Sequence, residues 1–155
     1  MKKYELTAES IVKFGRTLFR IKALVDFGNV EEGELGGFVE KEGNLDQSGN
    51  AWVSGDARVY GDALVYGNAQ VYGNAQIFKM SHYVVAGPLG SRDDFTTFFR
   101  TKHHTIGVKC GCFRGNTDEL LKAVETVHGD NKHAQAYKAA VDLAKLQIDL
   151  SEYPL

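Results

Sequence analysis

The sequence predicts a mainly β protein with a short β-helix at its centre, an N-terminal β cap and a small C-terminal α+β domain. Three observations predict this. Seven glycines (Gly37, Gly43, Gly49, Gly55, Gly61, Gly67 and Gly73) stand six residues apart. Between them, Ala51, Ala57, Ala63, Ala69 and Ala75 fill one column, and Val53, Val59, Val65, Val71 and Ile77 fill another. The period stops after Phe78, and helical patterning starts only beyond Asn116.

The expected organisation is therefore a cap over residues 1–36, a β-helix over 37–78 and a ββ(β)αα unit over 79–155. In the cap, Ser10–Phe14 and Thr17–Val25 read as strands flanking a Gly15-Arg16 turn, and the cap covers the open end of the β-helix. Residues 30–42 read as an acidic loop. A helix would space apolar residues by 3.6, and fixed short repeats are read as one short strand per repeat. Asn or Asp follows the glycines from Gly43 on, which suits turns with positive φ. Three repeats make one triangular coil, so residues eighteen apart stack: Val53 with Val71, Val59 with Ile77, Tyr60 with Phe78. Phe38 interrupts the Asn/Asp column, so the first coil is expected to be irregular.

Beyond the repeats, Ser81–Ala86, Thr96–Lys102 and Thr105–Phe113 read as strands, with a turn-rich loop at Gly87–Asp94 and a hairpin at His103-His104. Asn116 and Glu119 form a capping-box pair for a helix that Gly129 ends. Leu120, Leu121, Val124 and Val127 form its apolar stripe. A second helix over about Lys132–Leu150 buries Ala134, Tyr137, Val141, Ala144 and Ile148.

Composition narrows the function. The net charge of −2 carries no signature of a nucleic-acid polymer partner. No apolar run is long enough to predict a membrane helix, and the start lacks the apolar core of a signal peptide. With only Cys110 and Cys112, an intracellular, reduced protein in the cytoplasm is expected. Those thiols read as small buried hydrophobes, and their spacing matches no standard zinc pattern. No cofactor, metal ligand or catalytic residue is assigned, and the balance leans away from an enzyme.

Charge is uneven along the chain. Residues 79–115 carry six Lys or Arg against two Asp, a local excess that would attract an anion. The sharpest candidate is the loop GPLGSRDD with the strand that follows it. Gly90 permits close backbone approach, Ser91 offers a hydroxyl and Arg92 a planar fork for phosphate or carboxylate. Thr97, Phe99 and Arg100 add a hydroxyl, a ring and a second cation, and Lys109 and Arg114 complete the set. Basic groups beside stackable rings suit a small nucleotide-like anion. The competing reading is a tight turn in which Arg92 pairs with a neighbouring acid. Gly107 and Gly111 leave open backbone that either receives a flat ligand or packs on the helices. The column Tyr60, Tyr66, Tyr72 and Phe78, with Trp52 in another, is expected to point outward and to mediate a homo-oligomer, most simply a trimer.

The repeats over residues 43–78 resemble the left-handed β-helix of the hexapeptide-repeat proteins. Many members of that group are acyltransferases that bind coenzyme A between subunits and use a histidine base. Here no histidine precedes His82, so the coils carry none, and no catalytic residue carries over. The whole chain also resembles small phage and prophage proteins, through GRTLFRIKAL at Gly15–Leu24, ELGGFVE at Glu34–Glu40 and the VYGNA repeats at Val65–Ala75. That resemblance implies a viral context, with the host bacterial cytoplasm, and no site residues. By analogy of class, a small oligomeric phage protein with a basic aromatic pocket resembles the anti-defence sponges, which sequester nucleotide-derived immune signals without chemistry. A virion structural module and an acyltransferase-like protein are the alternatives.

Overall fold

The structure, a computed structural model, describes residues 2–151. Met1 of the expected cap and residues 152–155 of the expected C-terminal domain lie outside the described residues. Strands β1 (Tyr4–Lys13) and β2 (Arg16–Ala23) form an antiparallel hairpin. Its turn falls at Phe14-Gly15, one residue before the expected pair, and both residues have positive φ (57° and 71°). Two consecutive positive φ values suit the right-handed twist of a hairpin.

Then come β3 (Leu35–Val39) and the two-residue strands β4 (Trp52–Val53), β5 (Arg58–Val59), β6 (Gln70–Val71) and β7 (Gln76–Ile77). They pair in parallel at the expected eighteen-residue spacing, Val53 with Val71 and Val59 with Ile77. The Tyr60 and Phe78 rings stack with centroids 5.3 Å apart. The Ala and Val/Ile columns are fully buried from Ala51 to Ile77. Positive φ recurs where the turns require glycine. At Gly55 (φ 67°) a Cβ would also lie 3.1 Å from the Gly73 nitrogen of the next rung.

The expected architecture is nevertheless corrected. The strands form a mixed five-stranded sheet β1-β2-β3-β5-β7, a separate parallel pair β4-β6 and an antiparallel four-stranded sheet, with no closed or solenoid sheet among the described residues. A left-handed β-helix with a separate cap is therefore not the fold. Two features account for this. The N-terminal hairpin pairs edge to edge with β3, so cap and repeats share one sheet instead of meeting end to end. The remaining side of the repeats, at Leu45 and Val65, carries only an isolated bridge. The supposed acidic loop at 30–42 contains β3. The first repeat is irregular as expected, passing through a 3₁₀ turn at Glu42–Asn44.

The outward aromatics are also corrected. Trp52 is buried, edge-on to Tyr4 and Phe27. Tyr60 is buried between Phe14 and Phe78, and Tyr72 is half-buried. Tyr66 alone of that column is widely exposed, at 51 %. The hairpin and the C-terminal region thus cover surface that the sequence reading assigned to other subunits.

Glu40 ties the hairpin to the repeats. Arg16 Nη1 donates to both of its carboxylate oxygens at 2.9 and 3.0 Å, and the Gly61 N–H donates at 3.0 Å. Burial pushes the carboxyl pKa up, but the Gly61 N–H and Arg16 more than offset it, and the net shift is downward. A depressed carboxylate pKa stabilises the fold above the unfolded pKa, and that contribution is lost as pH falls through the folded value. Glu40→Gln is thus expected to cost up to about 1 kcal/mol at neutral pH. The deficit should vanish in acid below the carboxylate range. Denaturant titrations at both pH values check this, and a deficit that persists in acid would contradict it.

The C-terminal region holds β8 (Tyr83–Leu89), β9 (Asp94–Arg100), β10 (Ile106–Cys110) and β11 (Phe113–Asn116), in the order β11-β10-β9-β8. Strand β11 was not anticipated. A turn at Gly111-Cys112, with Gly111 at φ 56°, splits the expected Thr105–Phe113 strand. Helix α1 (Thr117–His128) starts at Asn116, whose side chain accepts the Glu119 N–H at 2.8 Å while Glu119 accepts the Asn116 N–H at 3.0 Å. Gly129 ends it, and Asn131 caps α2 (Lys132–Gln147). All five expected apolar residues of the second helix are buried, whereas Val127 of the first is exposed. No helix of the described residues is long and apolar enough to cross a membrane.

Candidate functional site: a cationic cleft between the repeats and the C-terminal sheet

The pleat of the C-terminal sheet gives it two working faces. Phe98 and Val108 point to the helices and join Leu120, Val124, Tyr137 and Val141 in one core. Tyr83 and Phe99 join the core of the repeats instead. The register puts Val85, Thr97, Lys109 and Arg114 in one cross-strand row, and Tyr83, Phe99, Gly107 and Asn116 in the next. Thr97 Oγ1 accepts the Gln70 N–H at 2.9 Å, and Lys102 N–H donates to the Asn74 carbonyl at 2.9 Å. The sheet is thereby fastened along the last repeats.

A cavity of about 350 Å³ opens along this seam, lined by Tyr72, Gly73 and Asn74 of the repeats and by Phe99, Thr105, Arg114 and Asn116 of the sheet. The Arg114 guanidinium lies over the Tyr72 ring at 4.4 Å. A second cavity of about 320 Å³ shares Tyr72, Gly73 and Asn74 and adds Asp56, Arg58, Gln76 and Lys102. On the other side of Arg114, a third of about 330 Å³ is lined by Lys109, Asn50, Asn68, Gln70 and Phe95.

The linings are mixed in charge: Glu119 lines the first cavity, Asp56 the second, and Glu34 and Asp94 the third. Among the described residues, ion pairs engage Lys2, Arg16 and Arg20. Among the described residues, Arg58, Lys102, Lys109 and Arg114 take part in no ion pair. Lys109 and Arg114 are direct cross-strand neighbours. Burial first, and then the Arg114 charge, hold the Lys109 ammonium below its ordinary pKa. Two adjacent cations raise the local positive potential and favour an anion, although Lys109 Nζ also donates to the Gly111 carbonyl at 3.0 Å. A guanidinium with one face on a ring keeps its N–H edges for a phosphate or carboxylate.

The structure divides the sequence-predicted residues into three places. Thr97, Phe99, Lys109 and Arg114 lie on the seam face, although Thr97 is occupied by the Gln70 N–H and Phe99 is core. Gly90 and Arg92 lie towards the helices. A Cβ at Gly90 would meet the Tyr137 hydroxyl at 2.5 Å, and Arg92 lines a largely apolar cavity of about 340 Å³ with Cys110, Tyr137 and α1. Ser91 is exposed in the same turn. Arg100 is fully buried, 5.4 Å from the Phe78 ring centroid, with Nη1 3.5 Å from the Gln76 carbonyl. The expectation that Gly90–Arg92 and Arg100 share one site with Lys109 and Arg114 is therefore not met, because the turn and the buried cation sit elsewhere.

Other local expectations change too. Gly107 is not open backbone, since a Cβ there would lie 2.4 Å from the Phe99 ring. Cys110 is half-buried, 3.8 Å from the Tyr137 hydroxyl, while Cys112 is exposed in the turn. Among the described residues no group of three or more His, Cys, Asp or Glu is placed to hold a metal ion. Sequence reasoning missed Tyr72, Asn74, Arg58 and Lys102 as site residues. Their signal was position, because Tyr72–Asn74 is the last glycine turn before the C-terminal sheet bridges onto Ala75 through Thr101.

No protein-family model matches the chain, and no curated protein matches it significantly.

Proposed function

We propose that the protein binds a small anionic, nucleotide-like ligand in the seam cleft and holds it unchanged. The observation that carries this reading is Arg114, which lies over the Tyr72 ring, forms no ion pair among the described residues and lines, with Glu119, a cavity of about 350 Å³. A cavity of this size suits a small ligand, and a cation fixed on an aromatic ring suits a phosphate joined to a flat base. Sequestering a nucleotide signal, as the anti-defence sponge class does, would be one use of such a site.

Calorimetric titration of the full chain with AMP tests the reading, followed by chromatography of the recovered nucleotide. Saturable binding and unaltered AMP are expected. Arg114→Gln removes a charged donor whose hydrogen bonds are worth about 1.5–3 kcal/mol, so affinity should fall about tenfold or more. A processed nucleotide, or the absence of binding by AMP and by larger phosphorylated nucleotides alike, would overturn the proposal.

A further inference from the structure

The two cavities on either side of the Tyr72–Asn74 turn point to a ligand with two anionic groups. We infer that the ligand of the seam cleft straddles this turn, one phosphate at Arg114 and another between Arg58 and Lys102, as a dinucleotide would. The inference rests on the cleft being a nucleotide site and adds the class of nucleotide.

Four observations carry it. The cavities of about 350 and 320 Å³ share Tyr72, Gly73 and Asn74, so one short turn is the wall between them. Each has its own cations, in no ion pair among the described residues: Arg114 in the first, which Glu119 also lines, and Arg58 and Lys102 in the second. Asp56 is the single acid lining the second cavity. Gly73 leaves the crest of the turn bare, since a Cβ at that residue (φ 68°) would have nothing within 4 Å. A linker between two phosphates can cross such a crest. The turn is also held in place, because Lys102 N–H donates to the Asn74 carbonyl at 2.9 Å and Thr101 bridges to Ala75.

The experiment compares AMP with 5′-phosphorylated diadenylate (pApA) by calorimetry on the full chain. The dinucleotide should bind at least about tenfold tighter than AMP, which corresponds to one further charge-assisted contact. Arg58→Gln and, separately, Lys102→Gln should collapse the pApA-to-AMP affinity ratio. Arg114→Gln should weaken both ligands. Lys102 is exposed, so its variant should fold even if that of half-buried Arg58 does not. If AMP binds and pApA binds no tighter, the two-phosphate inference fails and the cleft remains a mononucleotide site. A tighter pApA with the ratio intact in both variants also overturns it, because the second phosphate then lies elsewhere. Failure of both ligands to bind removes the cleft reading together with this one.

Discussion

Replacing Tyr60 by alanine is expected to destabilise the protein by about 3–5 kcal/mol, the range for deleting a large buried ring. Tyr60 is 1 % exposed, and its ring lies between Phe14 at 5.4 Å and Phe78 at 5.3 Å. Leu18 and Phe38 complete that cluster, which joins the turn of the N-terminal hairpin to the end of the repeats. Burial pushes the phenol pKa up to about 12, so the group stays neutral at any working pH. Three separate segments, the hairpin turn at Phe14, β3 at Phe38 and the end of the repeats at Phe78, meet on this ring. At about 2–4 °C per kcal/mol for a chain of this size, the melting midpoint should fall by about 6–20 °C. Tyr60→Phe keeps the stack and should cost far less. A loss under about 1 kcal/mol for the alanine variant would mean that the hairpin does not seat on the repeats as described.

Gly36→Ala should be comparably damaging for the opposite reason. A Cβ on Gly36 would lie 2.5 Å from the Val53 carbonyl oxygen, 2.6 Å from Ile21 Cγ1 and 2.7 Å from Trp52 Cζ2. Overpacking in a dense core costs about 1–3 kcal/mol, and more when the obstacle is backbone. Gly36 belongs to β3, the strand that joins the hairpin to the repeats, so relief would require moving one sheet away from the next rung. Gly43→Ala is the matched control, because its Cβ would meet only the Lys41 side chain at 3.8 Å or beyond. The control should be within about 0.5 kcal/mol of the parent, as for most surface changes. Denaturant unfolding of both variants decides the matter, and equal stability would show that β3 is not packed against Val53 and Trp52.

Much of the local architecture was legible in the residues. The eighteen-residue stacking, the Asn116–Glu119 box and the buried stripe of α2 follow from spacing alone, because each depends on neighbours at fixed short separation. Strand β11 was missed because Cys110–Phe113 reads as continuous β sequence, and one glycine at positive φ is all that marks its turn. The β-helix reading failed on what lies beside the repeats. A six-residue period says how rungs stack, but it does not say that a preceding hairpin adds to their edge.

The candidate site was legible in its chemistry and not in its place. The excess of cations over residues 79–115 was correct as composition, yet Arg100 turned inward onto Phe78, Arg92 went to the helix side, and Lys109 and Arg114 went to the seam. Alternation along a strand assigns side chains to opposite faces without saying which face meets which partner. The rungs, the turns that need glycine and the helix caps follow from the residue order, since φ preferences and short-range contacts set them. Which aromatics are covered and which cations share a cleft depends on how distant segments pack. Burial belongs to pairs of surfaces far apart in the chain, and here those surfaces are the hairpin on Tyr60 and the C-terminal sheet along Tyr72–Ala75.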